Sequence, residues 1–483
     1  MAEKLKLNYK KTLLIGCGFM SSSIAWAIYD PLVPLLLNKF LSGSTAIANW
    51  SASVGGTSFI AKLLEAQGED IHGAGGAFTL VPLFIGIIMT FDNIFGVIFQ
   101  PLFGRFSDHC RSKYGKRRPF IFIGAPISAI LFALMPQMNS LGALMTCLIL
   151  FVFVMSLWRA PVVALMPDLT PPQLRSEGNA IINLCGGLGG LIGMMAGTVI
   201  CALFGLDSAK MEEFPYVFGL AAIFMLGGTL VLRIFVQEPD SRLKLQAEEN
   251  KAQDEASRQK ALKEAEKAEK ERMKAMKLSS SERRSLIFML GCLFFLFCSV
   301  NAIQTFFSLF AAEILGKTGS QATMMMAIFA ACSMLAAIPA GKVGKKIGRK
   351  KTILLGLVAI MVVFALYAVT KNMGMIWVAL VVGGAANMFI TVNTLPLVLE
   401  IGGLERVGTF TGYYYTATFS AQIVTPIVYG VVRVFSGTYM SLFYYCPVLF
   451  VISLLCLLVV RHGEVNQEEL EKVVEQVELE NAD

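Results

Sequence analysis

Three charged residues stand well inside otherwise apolar stretches of this sequence: Asp30, Asp92 and Arg159. Placed in a membrane, each would cost at least ~2.5–3.5 kcal/mol at the bilayer centre, so such a charge is rarely idle. Ser22, Trp26 and Asp30 recur every fourth residue, and a helix would set them on one face. A ring beside a carboxylate suits a sugar: the apolar face of the sugar stacks on the ring and its hydroxyls donate to the acid. Trp158 and Arg159 form a second couple of this kind, and the five-donor fork of Arg159 suits several hydroxyls or a carboxylate. The alternatives for Asp30 and Arg159 are an interhelical ion pair, or snorkelling to an interface.

Neutral polar groups recur at helical spacing later in the chain. Asn301, Gln304 and Ser308 share one face, Asn387, Thr391 and Thr394 a second (with Asn393 beside them), and Tyr414, Thr418 and Gln422 a third. Amides and hydroxyls match sugar hydroxyls as donors and acceptors. They serve equally as glue between membrane helices.

The elements that must position these residues follow from composition. Of 483 residues, 55% are hydrophobic and 16% charged, against about 25% charged in a soluble domain. Mean hydropathy is +0.64. These values exclude a soluble enzyme, a disordered chain and a disulfide scaffold, and leave a polytopic helical membrane protein. Twelve apolar segments are long enough to cross: 12–37, 78–103, 119–136, 142–164, 180–205, 215–236, 285–310, 322–340, 353–370, 375–398, 409–432 and 441–460. Their apolar runs are continuous, unlike the alternating strands of a membrane barrel. The first is too long for a signal-peptide core and is expected to be retained. Nine of the ten Cys fall inside these spans and read as small apolar packers; His72, His109 and His462 are too dispersed for a metal site.

Charge sets the orientation. With the N-terminus inside, only Lys39, Lys62, Lys210, Lys317, Lys371 and Arg433 of the 41 basic residues fall in outer loops, and Arg159 and Arg233 fall in spans. The rest are cytoplasmic, six of them in 104–118 and six in 341–351, so both termini are expected in the cytoplasm. The basic balance is a topology signal, with no nucleic acid implied.

The chain divides as 1–236, a six-span bundle; 237–284, a charged spacer rich in Ala, Glu and Lys, expected to be helical and solvated; 285–461, a second six-span bundle; and 462–483, an acidic tail. A regulatory or partner-binding helix is the alternative for the spacer. The two halves look related. Gly104, Gly115 and Lys116-Arg117-Arg118 follow the second span as Gly341, Gly348 and Arg349-Lys350-Lys351 follow the eighth, and Pro161 in the fourth span matches Pro396 in the tenth. This is the pattern of a parallel duplication of a six-helix unit.

Gly104-Arg-Phe-Ser-Asp108-His-Cys-Arg111, followed by Gly115-Lys-Arg-Arg-Pro119, resembles the loop motif between helices 2 and 3 of the major facilitator superfamily. Its particular form is similar to the glycoside–pentoside–hexuronide symporters and bacterial sucrose-carrier relatives. Asp30-Pro-Leu-Val33, Pro161 to Asp168, and Glu400 to Gly412 followed by Tyr413-Tyr-Tyr415 resemble other segments of that branch. The resemblance covers nearly the whole chain outside the spacer and tail. It implies two pseudo-symmetric six-helix bundles in the major facilitator fold. It implies a secondary transporter of the cell membrane, working as a monomer on a small sugar or glycoside with a coupling cation. It implies no cofactor and no enzyme activity, and no G-x-x-x-x-G-K-S/T loop is present for direct use of ATP.

Two departures refine this expectation. Melibiose-type members carry two aspartates before the Pro that precedes the loop motif and bind sodium there. Here Pro101 is preceded by Gly96 and Gln100, so no carboxylate remains for a hard cation, and protons are expected, carried on Asp92 or Asp30. Sucrose carriers have an arginine two residues after the helix-4 Pro, where this chain has Val163, with Arg159 one turn earlier. Straight-rod depth places Asp30 about 28 Å of helix rise past Lys11 and Arg159 about 13 Å from Asp168. Asp92 is therefore the expected nearer partner of Arg159. At the inner ends, Asp108 is expected to meet Arg111 or Arg175, with Asp168 and Glu177 joining, as a latch that rests on the close approach allowed at Gly104. Lys345 stands where the second copy would have Asp108, so that copy is expected to be degenerate. A drug or organic-ion carrier, a lipid carrier and a non-transporting membrane sensor remain the alternatives.

Overall fold

The computed structural model describes residues 8–57, 80–170, 174–238, 279–402 and 407–462, and these are all-helical. Twelve helices are long and apolar enough to cross a membrane. They are α1 (Tyr9–Ser42), α2 (Val81–Asp108), α3 (Arg118–Leu134), α4 (Leu141–Leu169), α5 (Arg175–Phe204), α6 (Phe214–Phe235), α7 (Ser280–Ile314), α8 (Gly319–Ile347), α9 (Arg349–Thr370), α10 (Met373–Gly402), α11 (Val407–Ser436) and α12 (Leu442–Val459). Each matches one of the twelve apolar segments of the sequence. Several run beyond the apolar run, because a polar last turn is stable once it leaves the lipid. The Gly104–Asp108 stretch is thus the last turn of α2 and α8 carries Lys345 and Lys346, where sequence alone suggested loops.

Local chemistry marks the ends. The Asn8 side chain accepts from Lys11 N at the start of α1, and Ser140 accepts from Ala143 N at the start of α4. A proline stands in the first turn of α2, α3 and α6, where its missing N–H costs nothing. Gly205, in the left-handed region, closes α5. A short helix, Thr45–Thr57, follows α1, and its Ser51 hydroxyl accepts from Leu80 N just before α2. Most of the 237–284 spacer, residues 58–79 of the long loop and the tail beyond His462 lie outside the described residues.

The helices cluster into two compact units. One comprises Met1–Met276, Ala302–Ala330 and Ile423–Leu442; it joins α1–α6 to the end of α7, the start of α8 and the end of α11. Here α1 packs chiefly on α5 and α6, and α3 on α4 and α6. Small residues allow the closest approach. A Cβ on Gly189 or Gly193 of α5 would lie 2.6 Å from Met20 O or 2.8 Å from Ile24 O of α1. Ser21 Oγ donates to Phe224 O (2.9 Å), Ser308 Oγ to Pro31 O (2.5 Å) and Thr90 Oγ1 to Ile423 O (3.2 Å).

Gly86 of α2 faces the Pro426 carbonyl of α11 so closely that a Cβ would overlap it. Gly86→Ala should therefore force these helices apart, at about 1–3 kcal/mol for an overpacked contact. The expected reading is a lower melting temperature of the purified protein; an unchanged one would show that α2 and α11 yield freely there.

The second unit comprises Lys277–Asn301, Ala331–Gln422 and Phe443–Asp483. Within it α9 lies along α10. Ser333 Oγ donates to Gly384 O (2.7 Å), and Ser453 Oγ donates to Cys292 O (2.9 Å).

Candidate functional site

The first unit brings the three intramembrane charges together. The Arg159 guanidinium of α4 lies over the Trp26 ring of α1, with Cζ 5.2 Å from the centroid. Arg159 interacts electrostatically with both Asp30 and Asp92, and Asp92 also feels Asp30. Straight-rod depth favoured Asp92 alone. It counts only the backbone rise, whereas the guanidinium sits at the end of a long side chain that reaches toward the α1 face carrying Trp26 and Asp30. Asp92 Oδ1 accepts from the backbone N–H (2.6 Å) and side-chain amide (2.9 Å) of Asn93.

Aromatic side chains hold this cluster. Trp26 meets Tyr29 edge-on at 5.2 Å, and Tyr29 stacks on Phe151 of α4 at 5.8 Å. Phe151 continues to Phe132 (4.9 Å), and Phe132 to Phe218 (4.6 Å), so α1, α4, α3 and α6 share one aromatic core. The Trp26 indole N–H and the Tyr29 hydroxyl are buried and have no protein hydrogen-bond partner. Buried polar groups are seldom left so.

Other residues singled out from sequence sit elsewhere. Trp158 is turned away from this cluster and is 1% exposed; its indole N–H donates to Ser128 Oγ of α3 (2.8 Å), over Gly124. Neighbours on a helix point about 100° apart, so Trp158 and Arg159 cannot address one solute together. Ser22 is buried and donates to Phe19 O within α1 (3.0 Å). Gln304 is exposed in the first unit. Asn301, Asn387, Asn393 and Gln422 belong to the second unit. Asn301 Nδ2 donates to Phe297 O within α7 (2.9 Å). Asn393 is 3% exposed and donates to Phe389 O (2.9 Å) and to Ala340 O of α8 (3.3 Å), the role of interhelical glue.

At the basic end of the first unit, the hub is a residue the sequence reading passed over. Arg117 is 5% exposed. Its Nε donates to Asp168 Oδ2 of α4 (2.7 Å), its Nη2 pairs with Asp108 Oδ1, and its Nη1 donates to Gly104 O (3.2 Å) and to Ser107 Oγ. Lys116 Nζ lies 3.2 Å from Asp168. Asp108 and Asp168 both pair with Arg117, a partner the sequence expectation, which named Arg111 or Arg175, did not include. The side chains of Arg175 and Glu177 lie outside the described ones. In the second unit Arg349 pairs with Glu400. Both pairs are 51 residues apart in sequence, so the second copy keeps the arginine–carboxylate bond although Lys345 replaces the aspartate. That repeated separation is the signal that could have found Arg117.

Glu238, just past α6, caps the start of α3: its Oε2 accepts from Arg117 N (2.9 Å) and Arg118 N (3.0 Å). Gly115, at φ 97°, leaves room for it. Burial pushes the Glu238 carboxyl above the ordinary glutamate range, against the pull of the two N–H groups. With the folded value raised, this group's contribution to stability is full below the ordinary range and is lost as pH rises through the raised value. Glu238→Gln keeps an acceptor oxygen and should flatten that fall, read as melting temperature from acid to neutral pH.

Comparison with known proteins places this geometry. The sequence profile described as MFS/sugar transport protein matches residues 78–401. The sucrose transport protein SUC3 of Arabidopsis thaliana is 28% identical over 193 residues, 32% of this chain and 31% of that protein. The membrane-associated transporter protein of Homo sapiens is 29% identical over 156 residues, 29% of each chain. The chain therefore spans about a third of the length of these curated relatives. Among solved structures, a D-xylose-proton symporter superposes with a TM-score of 0.62 at 14% identity, over 93% of this chain and 96% of that one. A bacterial homologue of the human lysosomal transporter Spinster, inward-facing and occupied, gives 0.65 at 11% identity, over 94% and 97%. At these identities the likeness is one of fold. Twelve apolar helices, the fold and a profile covering most of the sequence agree: the chain belongs to the MFS/sugar transport protein family, a multi-pass membrane transporter of the major facilitator superfamily.

Proposed function

We propose that this protein imports a sugar or glycoside together with a proton across the cell membrane, by alternating access, with both termini in the cytoplasm. The observation that carries this reading is the cluster of Trp26, Asp30, Asp92 and Arg159, with an indole N–H and a phenol that have no protein partner. Two carboxylates and one guanidinium leave a net charge of −1, and one proton makes the group neutral. A neutral group is cheaper to enclose in a low-dielectric site, so proton loading and closure around the solute favour each other. The solute stacks on Trp26, accepts from Arg159 and the indole, and donates to Asp30. The family profile and the sucrose transport relative support a sugar, and the fold shared with a D-xylose-proton symporter is compatible with coupling to protons.

The Arg117 hub is the natural latch on the cytoplasmic side. It ties the end of α2 to the end of α4 through the start of α3, all within the first unit, and its charges would separate when those helices shift against one another during the transport cycle. Arg111, Arg175 and Glu177 lie at the same ends and would join it.

The test is a panel of sugars added to de-energised cells while external pH is followed. Alkalinisation by one sugar is the expected result. If no sugar moves protons and a cationic drug does, this reading fails.

A further inference from the structure

At the ends of the first unit remote from the Arg117 hub lies a cavity of about 410 Å³, set among the end of α1, the start of α2, the end of α7 and the end of α11. That volume is within the range of about 300–1,000 Å³ usual for small-molecule sites. We propose that it is a second solute site, taking an uncharged hydroxylated molecule on the outer side before it reaches the central cluster. This rests on the function proposed above.

The walls are built for that chemistry. Arg433 is 6% exposed and is held from two sides: Nη2 donates to Glu313 Oε2 (2.8 Å), and Cζ lies 4.4 Å from the Tyr439 ring centroid. Its Nε and Nη1, and the Tyr439 hydroxyl, are buried with no protein partner. The guanidinium is therefore fixed in place with two donors unspent. Glu313 Oε1 is taken by Thr438 Oγ1 (2.9 Å) and Tyr439 N (2.8 Å), which locks the carboxylate beside it. Also lining the cavity, Ser42 Oγ donates to Asn38 Oδ1 (3.3 Å), which orients the Asn38 amide. The Arg433–Glu313 pair disfavours a charged guest of either sign. A hydroxyl accepts from Arg433 or Asn38 and donates to a carboxylate, which neither an anion nor a cation does. Val81, Pro82 and Leu309 supply an apolar wall for the carbon face of a ring.

The test uses the full-length protein in vesicles of known orientation, with transport of the sugar identified by the panel measured in each direction. Asn38→Ala removes one hydrogen bond and Ala312→Leu narrows the cavity; both sites are at least partly exposed, so folding should survive. Each variant should raise KM for transport from the cavity side roughly 2- to 10-fold, the worth of one hydrogen bond, with maximal velocity unchanged. KM from the other side should not move, and the maximal velocity from that side should fall by the same factor, because detailed balance ties Vmax/KM in the two directions when no gradient is imposed. Arg433→Lys, which keeps the charge but lacks the planar fork that fixes the spare donors in place, should act in the same direction. No change, or an equal change of KM in both directions, overturns the inference while leaving the central site standing. A wild-type protein that moves no sugar overturns the function it rests on, and this site with it.

Discussion

Replacing Asp92 by Asn is expected to abolish sugar-driven alkalinisation and to lower concentrative uptake by about 100-fold, while exchange of sugar down its gradient persists. The amide keeps an oxygen to accept from the Asn93 backbone N–H and side chain, so the local fold is preserved. What is lost is a charge the membrane tolerates only for a purpose. One proton crossing a potential of 100 mV is worth about 2.3 kcal/mol, so a little over 100 mV drives accumulation of about 100-fold, which the uncoupled variant forgoes. Asp30→Asn makes the contrast. Asp30 stands one turn from the Trp26 ring that Arg159 covers and interacts with that guanidinium, so its loss leaves the charge under-compensated and should weaken sugar binding as well as coupling. Proton movement that survives in Asp92→Asn and disappears in Asp30→Asn would transfer the proton to Asp30.

Replacing Arg117 by Gln should be the most damaging change at the basic ends of the first unit's helices. One guanidinium there holds Asp108, Asp168, the Gly104 carbonyl and Ser107. Removing one partner of a buried pair costs about 3–5 kcal/mol. The figure falls to about 2–3 kcal/mol here, because the Asp108 side chain is 50% exposed and Lys116 still reaches Asp168. A melting temperature lowered by several degrees, with uptake reduced at least tenfold, is the expected result. Arg117→Lys keeps the charge without the planar fork and should recover only part of both. Arg349→Gln should cost less, since Arg349 makes one such pair and its side chain is 32% exposed. Equal losses for Arg117→Gln and Arg349→Gln would show that the hub adds nothing to a simple ion pair.

The twelve helices were legible because hydrophobic length is a property of consecutive residues, and a bilayer rewards it without regard to partners. The central charges were legible for the same reason: Asp30, Asp92 and Arg159 stand out against apolar neighbours. Arg117 was not, because a basic residue beside a membrane already has a sufficient explanation in orientation, and its carboxylate partner lies 51 residues away. Trp158 and Arg159 are adjacent in sequence but diverge on the helix, and Trp158 is spent on Ser128 of α3. Trp26 and Asp30, four apart, kept to the helical period, and Arg159 reaches that side of α1. Asn393 has the composition of a binding residue and the packing of a structural one, a difference set by Ala340 on another helix.

The sequence by itself determined the class of the protein, the number of its helices and the few charges placed where lipid would exclude them, since each follows from local composition and spacing. Tertiary structure decided which charges meet. It made Arg117 the hub, placed Arg159 over Trp26, and left Arg433 with donors facing no protein acceptor. Partners of that kind come from helices far apart in the chain, and their choice depends on packing distances and side-chain reach that no periodicity encodes.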